Sequence, residues 1–166
     1  MSAIRKGIRY PLLMLLLFTI PVCSYSQNSD FPERLYTKED FPCLDNEIYT
    51  QLDFMLGHWE LTTKGLLVGE ITLEKDAKAC MIREKFTVHN GHSGAGIDYY
   101  DSENKIWRRI LVVSNGTIET YEGKVEGGKF IWIGKEVKID GSTVLERVEI
   151  WKEGSKIINN IFQSED

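Results

Sequence analysis

Hydrophobic and polar residues alternate along this chain from Gly57 almost to its end, in short runs broken by turn residues. A period of two belongs to strands buried on one face, and turn signals roughly every 8–12 residues belong to hairpins. Lys64-Gly65, Glu74-Lys75-Asp76, Asn90-Gly91, Asp101-Ser102-Glu103-Asn104, Asn115-Gly116, Gly127-Gly128, Asp140-Gly141 and Glu153-Gly154 supply the turns, because glycine and asparagine accept the positive φ that tight hairpin loops demand. Between them we read nine strands, over residues 57–63, 66–74, 80–89, 94–100, 106–114, 117–125, 129–138, 143–151 and 155–163. Strands joined by tight turns pair antiparallel. A meander of about 8–10 twisted strands tends to close on itself, which removes its exposed edges. The expected fold is therefore all-β, an antiparallel up-and-down β-barrel over residues 52–166. Its entrance is Leu52-Asp53-Phe54-Met55-Leu56-Gly57-His58-Trp59-Glu60, a short amphipathic turn leading through Gly-x-Trp into the first strand.

The residues before this stretch follow other rules. Arg5, Lys6 and Arg9 precede an apolar run from Leu12 to Ile20, then Pro21 and the small-x-small triplet Ser24-Tyr25-Ser26. That is the layout of a cleaved signal peptide, 1–26, with Gln27 as the mature N-terminus and a secreted or periplasmic destination. The run is too short for a transmembrane helix, which needs about 20 apolar residues. A lipoprotein anchor on Cys23 is disfavoured because Val22 stands where a small residue is wanted. Residues 27–51 show no sustained period and contain Pro32 and Pro42, so they read as a coil or short helical turn tethered to the barrel by Cys43. Cys43 and Cys80 are the two cysteines outside the leader. In an exported protein such an even pair points to a disulfide bond. Left unpaired, Cys80 is either a buried small hydrophobe or a nucleophile that needs a base beside it.

Charge narrows the partners. Loss of the leader removes three basic residues and no acidic ones, so the balance moves from 20 basic against 25 acidic to 17 against 25, a net charge of −8. A nucleic acid is repelled by that balance, and no basic stripe with interleaved aromatics is present. The rest of the chain is long enough to bury a core as a single domain without a metal.

Several segments in order carry a resemblance to a family. Cys43, Leu52-Asp53-Phe54-Met55-Leu56-Gly57-His58-Trp59-Glu60, Ala79-Cys80-Met81-Ile82-Arg83-Glu84, Gly94-Ala95-Gly96, Tyr99-Tyr100-Asp101, Trp107, Ser114-Asn115-Gly116, Gly123, Arg147 with Trp151, and Phe162-Gln163-Ser164-Glu165-Asp166 together resemble the DUF1579-type calycin or lipocalin-like proteins. The resemblance spans most of the mature chain. It implies a lipocalin-like barrel from exported bacterial proteins, with no settled biochemical activity. It also implies a further Trp-containing turn and a last strand, which this chain, ending at Asp166, does not include.

The period of two sorts side chains by face. In the third strand Cys80, Ile82, Glu84, Phe86 and Val88 share the face expected to point inward, which sets a carboxylate among apolar neighbours and calls for a partner. In the eighth, Arg147, Glu149 and Trp151 share one face and Val144, Glu146, Val148 and Ile150 the other; periodicity does not decide between them. The orientation expected here has the Trp151 face inside, which makes Arg147 the partner of Glu84 in a bidentate pair. That pair serves either to fix the register of the barrel or to anchor the polar head of a ligand. Trp59, Phe86, Trp107, Tyr121, Trp132 and Trp151 are candidates for an aromatic lining. Two other readings stay open: an enzyme using the carboxylates Glu84, Asp98, Glu119 and Glu122 as acid and base, and a packed interaction module with no cavity.

Other chemistry is weakly signalled. His89-x-x-His92 lies at a strand end and glycine-rich loop with no further ligand nearby, so no metal is expected. Haem-binding barrels with a similar Gly-x-Trp start take an iron ligand from a late strand, whereas no histidine here follows His92, and His58 sits at the rim beside Trp59. No phosphate-binding glycine loop, serine nucleophile elbow or zinc-hydrolase helix is present, so no cofactor is expected. Asn115-Gly116-Thr117 matches a glycosylation sequon but reads as a hairpin turn. The function expected is non-enzymatic binding of a small, largely apolar molecule inside the barrel.

Overall fold

The computed structural model describes residues 38–165, so the leader, Cys23 and the Ser26-Gln27 cleavage point lie outside the described residues. Nine strands follow one another: β1 (Gly57–Thr63), β2 (Leu66–Asp76), β3 (Met81–Val88), β4 (Ser93–Asp101), β5 (Ile106–Val113), β6 (Ile118–Glu126), β7 (Lys129–Val137), β8 (Thr143–Glu153) and β9 (Lys156–Glu165). They form one sheet in sequence order, each strand antiparallel to the next. Every hairpin turn named above falls in a loop or at a strand end, and Lys64 with Gly65 adopts the positive φ of 51° and 79° expected of such a loop. Among the described residues no ladder joins β1 to β9, so the sheet is a curled half-barrel with two edges. Side chains span that seam: Trp59 and Leu61 of β1 and Ile157 of β9 line one small apolar cavity of about 100 Å³.

One end of the curl is plugged. The segment before β1 forms three 3-10 turns, Lys38–Asp40, Glu47–Thr50 and Asp53–Met55, and these bury Leu52 completely and Met55 almost so. Two tryptophans fasten this plug by their indole N–H groups: Trp59 Nε1 donates to the Met55 carbonyl (2.8 Å) and Trp107 Nε1 to Gln51 Oε1 (3.1 Å). The Lys75 ammonium meets the Asp53 carboxylate at 2.7 Å. Cys43 is bonded to Cys80, in the loop before β3, with Cα atoms 5.0 Å apart, so the tether expected from the cysteine pair is present. The loop it closes spans 37 residues, and on the chain-entropy argument the bond stabilises the fold by roughly 4 kcal/mol. The β2–β3 connection it clamps is unusual. Ala77, Lys78 and Ala79 all have φ between 48° and 68°, a conformation costing roughly 1 kcal/mol or more for each side chain that carries a Cβ.

Inward positions align across the sheet in rows. Trp107, Gly123, Trp132, Val148 and Ile161 are successive cross-strand partners from β5 to β9 and form an apolar row near the plugged end. Gly123 is required there, because a Cβ on it would stand 2.4 Å from the Trp132 ring and 2.5 Å from the Phe130 ring. Trp107, Trp132, Phe130 and Ile150 are all but inaccessible to solvent. β3 points Ile82, Glu84 and Phe86 inward as expected. β8 corrects the expected orientation: Val144, Glu146, Val148 and Ile150 face in, and Arg147, Glu149 and Trp151 face out. Burial of three aliphatic side chains outweighs burial of one indole, and the outward set satisfies itself through Arg147–Glu149 (3.1 Å), Lys129–Glu149 (2.7 Å) and the Lys129 ammonium 4.2 Å from the Trp151 ring centre.

Candidate functional site

The next rows of inward positions, farther from the plug, are polar. Asp98, Arg109, Tyr121, Gly134, Glu146 and Gln163 are successive cross-strand partners from β4 to β9. Beside them run Glu84, Gly96, Leu111, Glu119 and Glu136 on β3 to β7. Hairpin register alone therefore concentrates ionisable groups at one depth of the curl. Most of them, including Glu84, Arg109, Glu119, Tyr121, Glu136 and Glu146, wall a cavity of about 330 Å³ that also takes in Phe86 and Trp132.

Arg109 organises one half of the site. Its Nε and Nη2 donate to the two carboxylate oxygens of Asp98 at 2.7 and 2.9 Å, a bidentate pair. Nη2 also lies 2.9 Å from Glu84 Oε2, and the guanidinium carbon stands 4.7 Å from the Trp132 ring centre. Asp98 is fully buried and Glu84 is 5% exposed. Burial by itself would lower the Arg109 pKa, but Asp98 and Glu84 outweigh it and hold the guanidinium protonated above its ordinary value. Burial pushes the Glu84 carboxyl up; Arg109 pulls against that and Asp98 adds to it, with a net rise. The Glu84–Arg109 contact is an ion pair without hydrogen-bond direction, since Glu84 Oε2 has no hydrogen-bond partner.

This corrects the expected partner of Glu84. Arg147 lies on the outer face with 42% of its side chain exposed and is bound to Glu149. The expected lining residues also separate. Phe86 and Trp132 line the polar cavity with Glu84; Trp59 lines the seam cavity; Trp107 is buried in the core on Gln51; Trp151 borders a groove with Phe54 at the plugged end.

The other half is built on Tyr121. Its hydroxyl is in hydrogen-bond contact with Glu119 Oε2 at 3.0 Å and, more closely, with Glu146 Oε2. Gln163 Nε2 donates to Glu146 Oε1 at 2.7 Å. The phenol on β6 reaches the carboxylate on β8 by crossing β7 at Gly134. A Cβ there would stand 2.6 Å from the Tyr121 ring and 2.0 Å from the Thr120 carbonyl oxygen. Burial, then the bond to Glu146 and the Glu119 charge, push the Tyr121 pKa far up, so the phenol keeps its proton. Burial also raises Glu119; the Tyr121 hydrogen bond opposes this, and Glu146 and Glu136 reinforce it.

Sequence reasoning singled out Glu84 but missed Arg109, Glu136, Glu146 and Gln163, and left Asp98, Glu119 and Tyr121 without partners. A signal was available. Pairing Tyr100 with Trp107 across the Asp101 turn sets Asp98 opposite Arg109, two residues further along each strand. Among the described residues no group of three or more His, Cys, Asp or Glu is placed to hold a metal ion, and none of their helices is long and apolar enough to cross a membrane. The chain matches no protein-family model and no curated protein in sequence.

Proposed function

We propose that this protein is an exported, lipocalin-like barrel that holds one small molecule with an apolar body against its concave face and does no chemistry on it. The observation that carries the reading is the 330 Å³ cavity, whose wall combines Phe86, Trp132, Val148 and Ile161 with the buried ion network around Arg109. Its volume falls at the lower end of the range for small-molecule sites, about 300–1,000 Å³, and a few fixed polar groups on an apolar wall are the usual composition of such sites. A disulfide fits an oxidising compartment outside the cytosol. Of the residues first nominated for ligand contact, Glu84, Phe86 and Trp132 keep that role in this reading.

Native mass spectrometry of protein taken from its own host tests it. A bound mass released on denaturation is expected, and Ile161→Trp, which fills the cavity from the more exposed β9 wall, should abolish it while leaving a folded protein. A host-derived protein with no bound mass, and no change in Trp132 fluorescence with any small hydrophobic amine, alcohol or acid, would overturn it.

A further inference from the structure

The cavity wall is unbalanced in charge. Glu84, Glu119, Glu136 and Glu146 line it against one guanidinium, Arg109, and Arg109 is already engaged by Asp98 and Glu84. Glu119, Glu136 and Glu146 therefore face the cavity with no cation of their own among the residues lining it. Glu119 and Glu136 are direct cross-strand partners, the arrangement in which like charges repel. Two buried polar atoms of the wall, Glu84 Oε2 and Trp132 Nε1, make no hydrogen bond, although buried polar groups are nearly always paired.

Proton counting sharpens the imbalance. Tyr121 has one hydroxyl proton and two carboxylate neighbours, Glu119 and Glu146. An ionised carboxylate only accepts, so with both acids ionised the single hydroxyl proton is shared between two acceptors. Burial raises the Glu119 pKa, with Glu146 and Glu136 reinforcing the rise, and Gln163 also donates to Glu146.

Resting on the reading above, we propose that the guest is a small organic cation, a primary amine with a short hydrocarbon body. Its ammonium lies among Glu119, Glu136 and Glu146, and its hydrocarbon lies against Phe86 and Trp132. The ammonium supplies three donors to a wall rich in carboxylate acceptors, and the Trp132 ring face, already met by Arg109, favours positive charge nearby. Metal ions are the poorer match, since the carboxylates are not grouped for coordination.

A matched trio of n-hexylamine, n-hexanol and hexanoate, titrated into the disulfide-bonded protein at neutral pH and followed by the Glu119 carboxyl and Tyr121 ring NMR signals, separates the alternatives. Hexylamine should bind about tenfold or more tightly than hexanol, and hexanoate should not compete. Hexylamine affinity should fall as the pH drops through the Glu119 titration, because proton and ammonium exclude each other; Glu84, Asp98, Arg109, Glu136 and Glu146 are the other charged groups facing this point. Glu119→Gln and Glu136→Gln should each weaken hexylamine and leave hexanol unchanged. Hexanol or hexanoate binding there as tightly as hexylamine would overturn the cationic assignment and leave the carrier reading standing. No response to any of the three up to about 10 mM, the range suited to ligands of so few atoms, would overturn both.

Discussion

Arg109 is the residue on which two buried acids depend, and its removal is expected to be among the most damaging single changes in the protein. Arg109→Met leaves Asp98 and Glu84 without their counter-charge, a loss of about 3–5 kcal/mol, read as the shift in urea denaturation midpoint. Arg147→Ala should cost under about 1 kcal/mol, since Arg147 is itself exposed and Glu149 keeps Lys129 as a second cation. Equal effects would restore Arg147 as the partner of Glu84. Glu119 gives a pH signature. Its folded-state pKa is raised, so the folded protein binds that proton more tightly than the unfolded chain. The associated stability is complete at acid pH and declines as pH rises from the ordinary carboxylate range through the raised value. Glu119→Gln carries a permanent donor in place of that proton. The variant should match the parent near about pH 4 and be the more stable of the two at neutral pH, as followed by thermal melts across pH. Asp101 behaves oppositely: its hydrogen bonds from Arg108 and Asn104 lower its pKa, so its contribution is lost as pH falls.

Strands and turns carry the next level of consequence. Gly134→Ala places a methyl group against the Thr120 carbonyl and the Tyr121 ring, and overpacking of this kind costs about 1–3 kcal/mol. A distinctive readout is loss of the Tyr121–Glu146 contact, visible as a drop in the pH at which Tyr121 ionises in ultraviolet titration. The β2–β3 connection offers the reverse. Ala79→Gly relieves a φ of 68° and should leave stability unchanged or raise it by up to about 1 kcal/mol, whereas replacing Cys43 and Cys80 by serine should lower it by about 3–4 kcal/mol. Strand boundaries were legible to within two residues because glycine, asparagine and aspartate mark nearly every hairpin. Facing was legible on β3, where Ile82, Phe86 and Val88 share one side. It was not on β8, where each face mixes charge with apolar bulk and the decision is made by neighbours on β7 and β9. The polar cavity escaped for the same reason. Its members come from β3 to β9, and only the summed register of successive hairpins brings them to one level.

At the scale of the whole sheet, the defining fact is that, among the described residues, β1 and β9 are joined by side chains and not by a ladder. Backbone amides along the free edge of each lack sheet partners, so hydrogen exchange is expected to be fast on alternate residues of β1 and β9 and slow in β5 to β7, which lie mid-sheet over the buried aromatic core. Uniform protection across all nine strands would mean that the ring is closed in solution. Where side chains such as Trp59, Leu61 and Ile157, and no ladder, bridge the gap among the described residues, the radius of the curl is a soft coordinate. On the carrier reading proposed above, a visitor larger than the resting hollow is accommodated by slight unrolling, with no ladder hydrogen bond between β1 and β9 to break, and departs by the same elastic route.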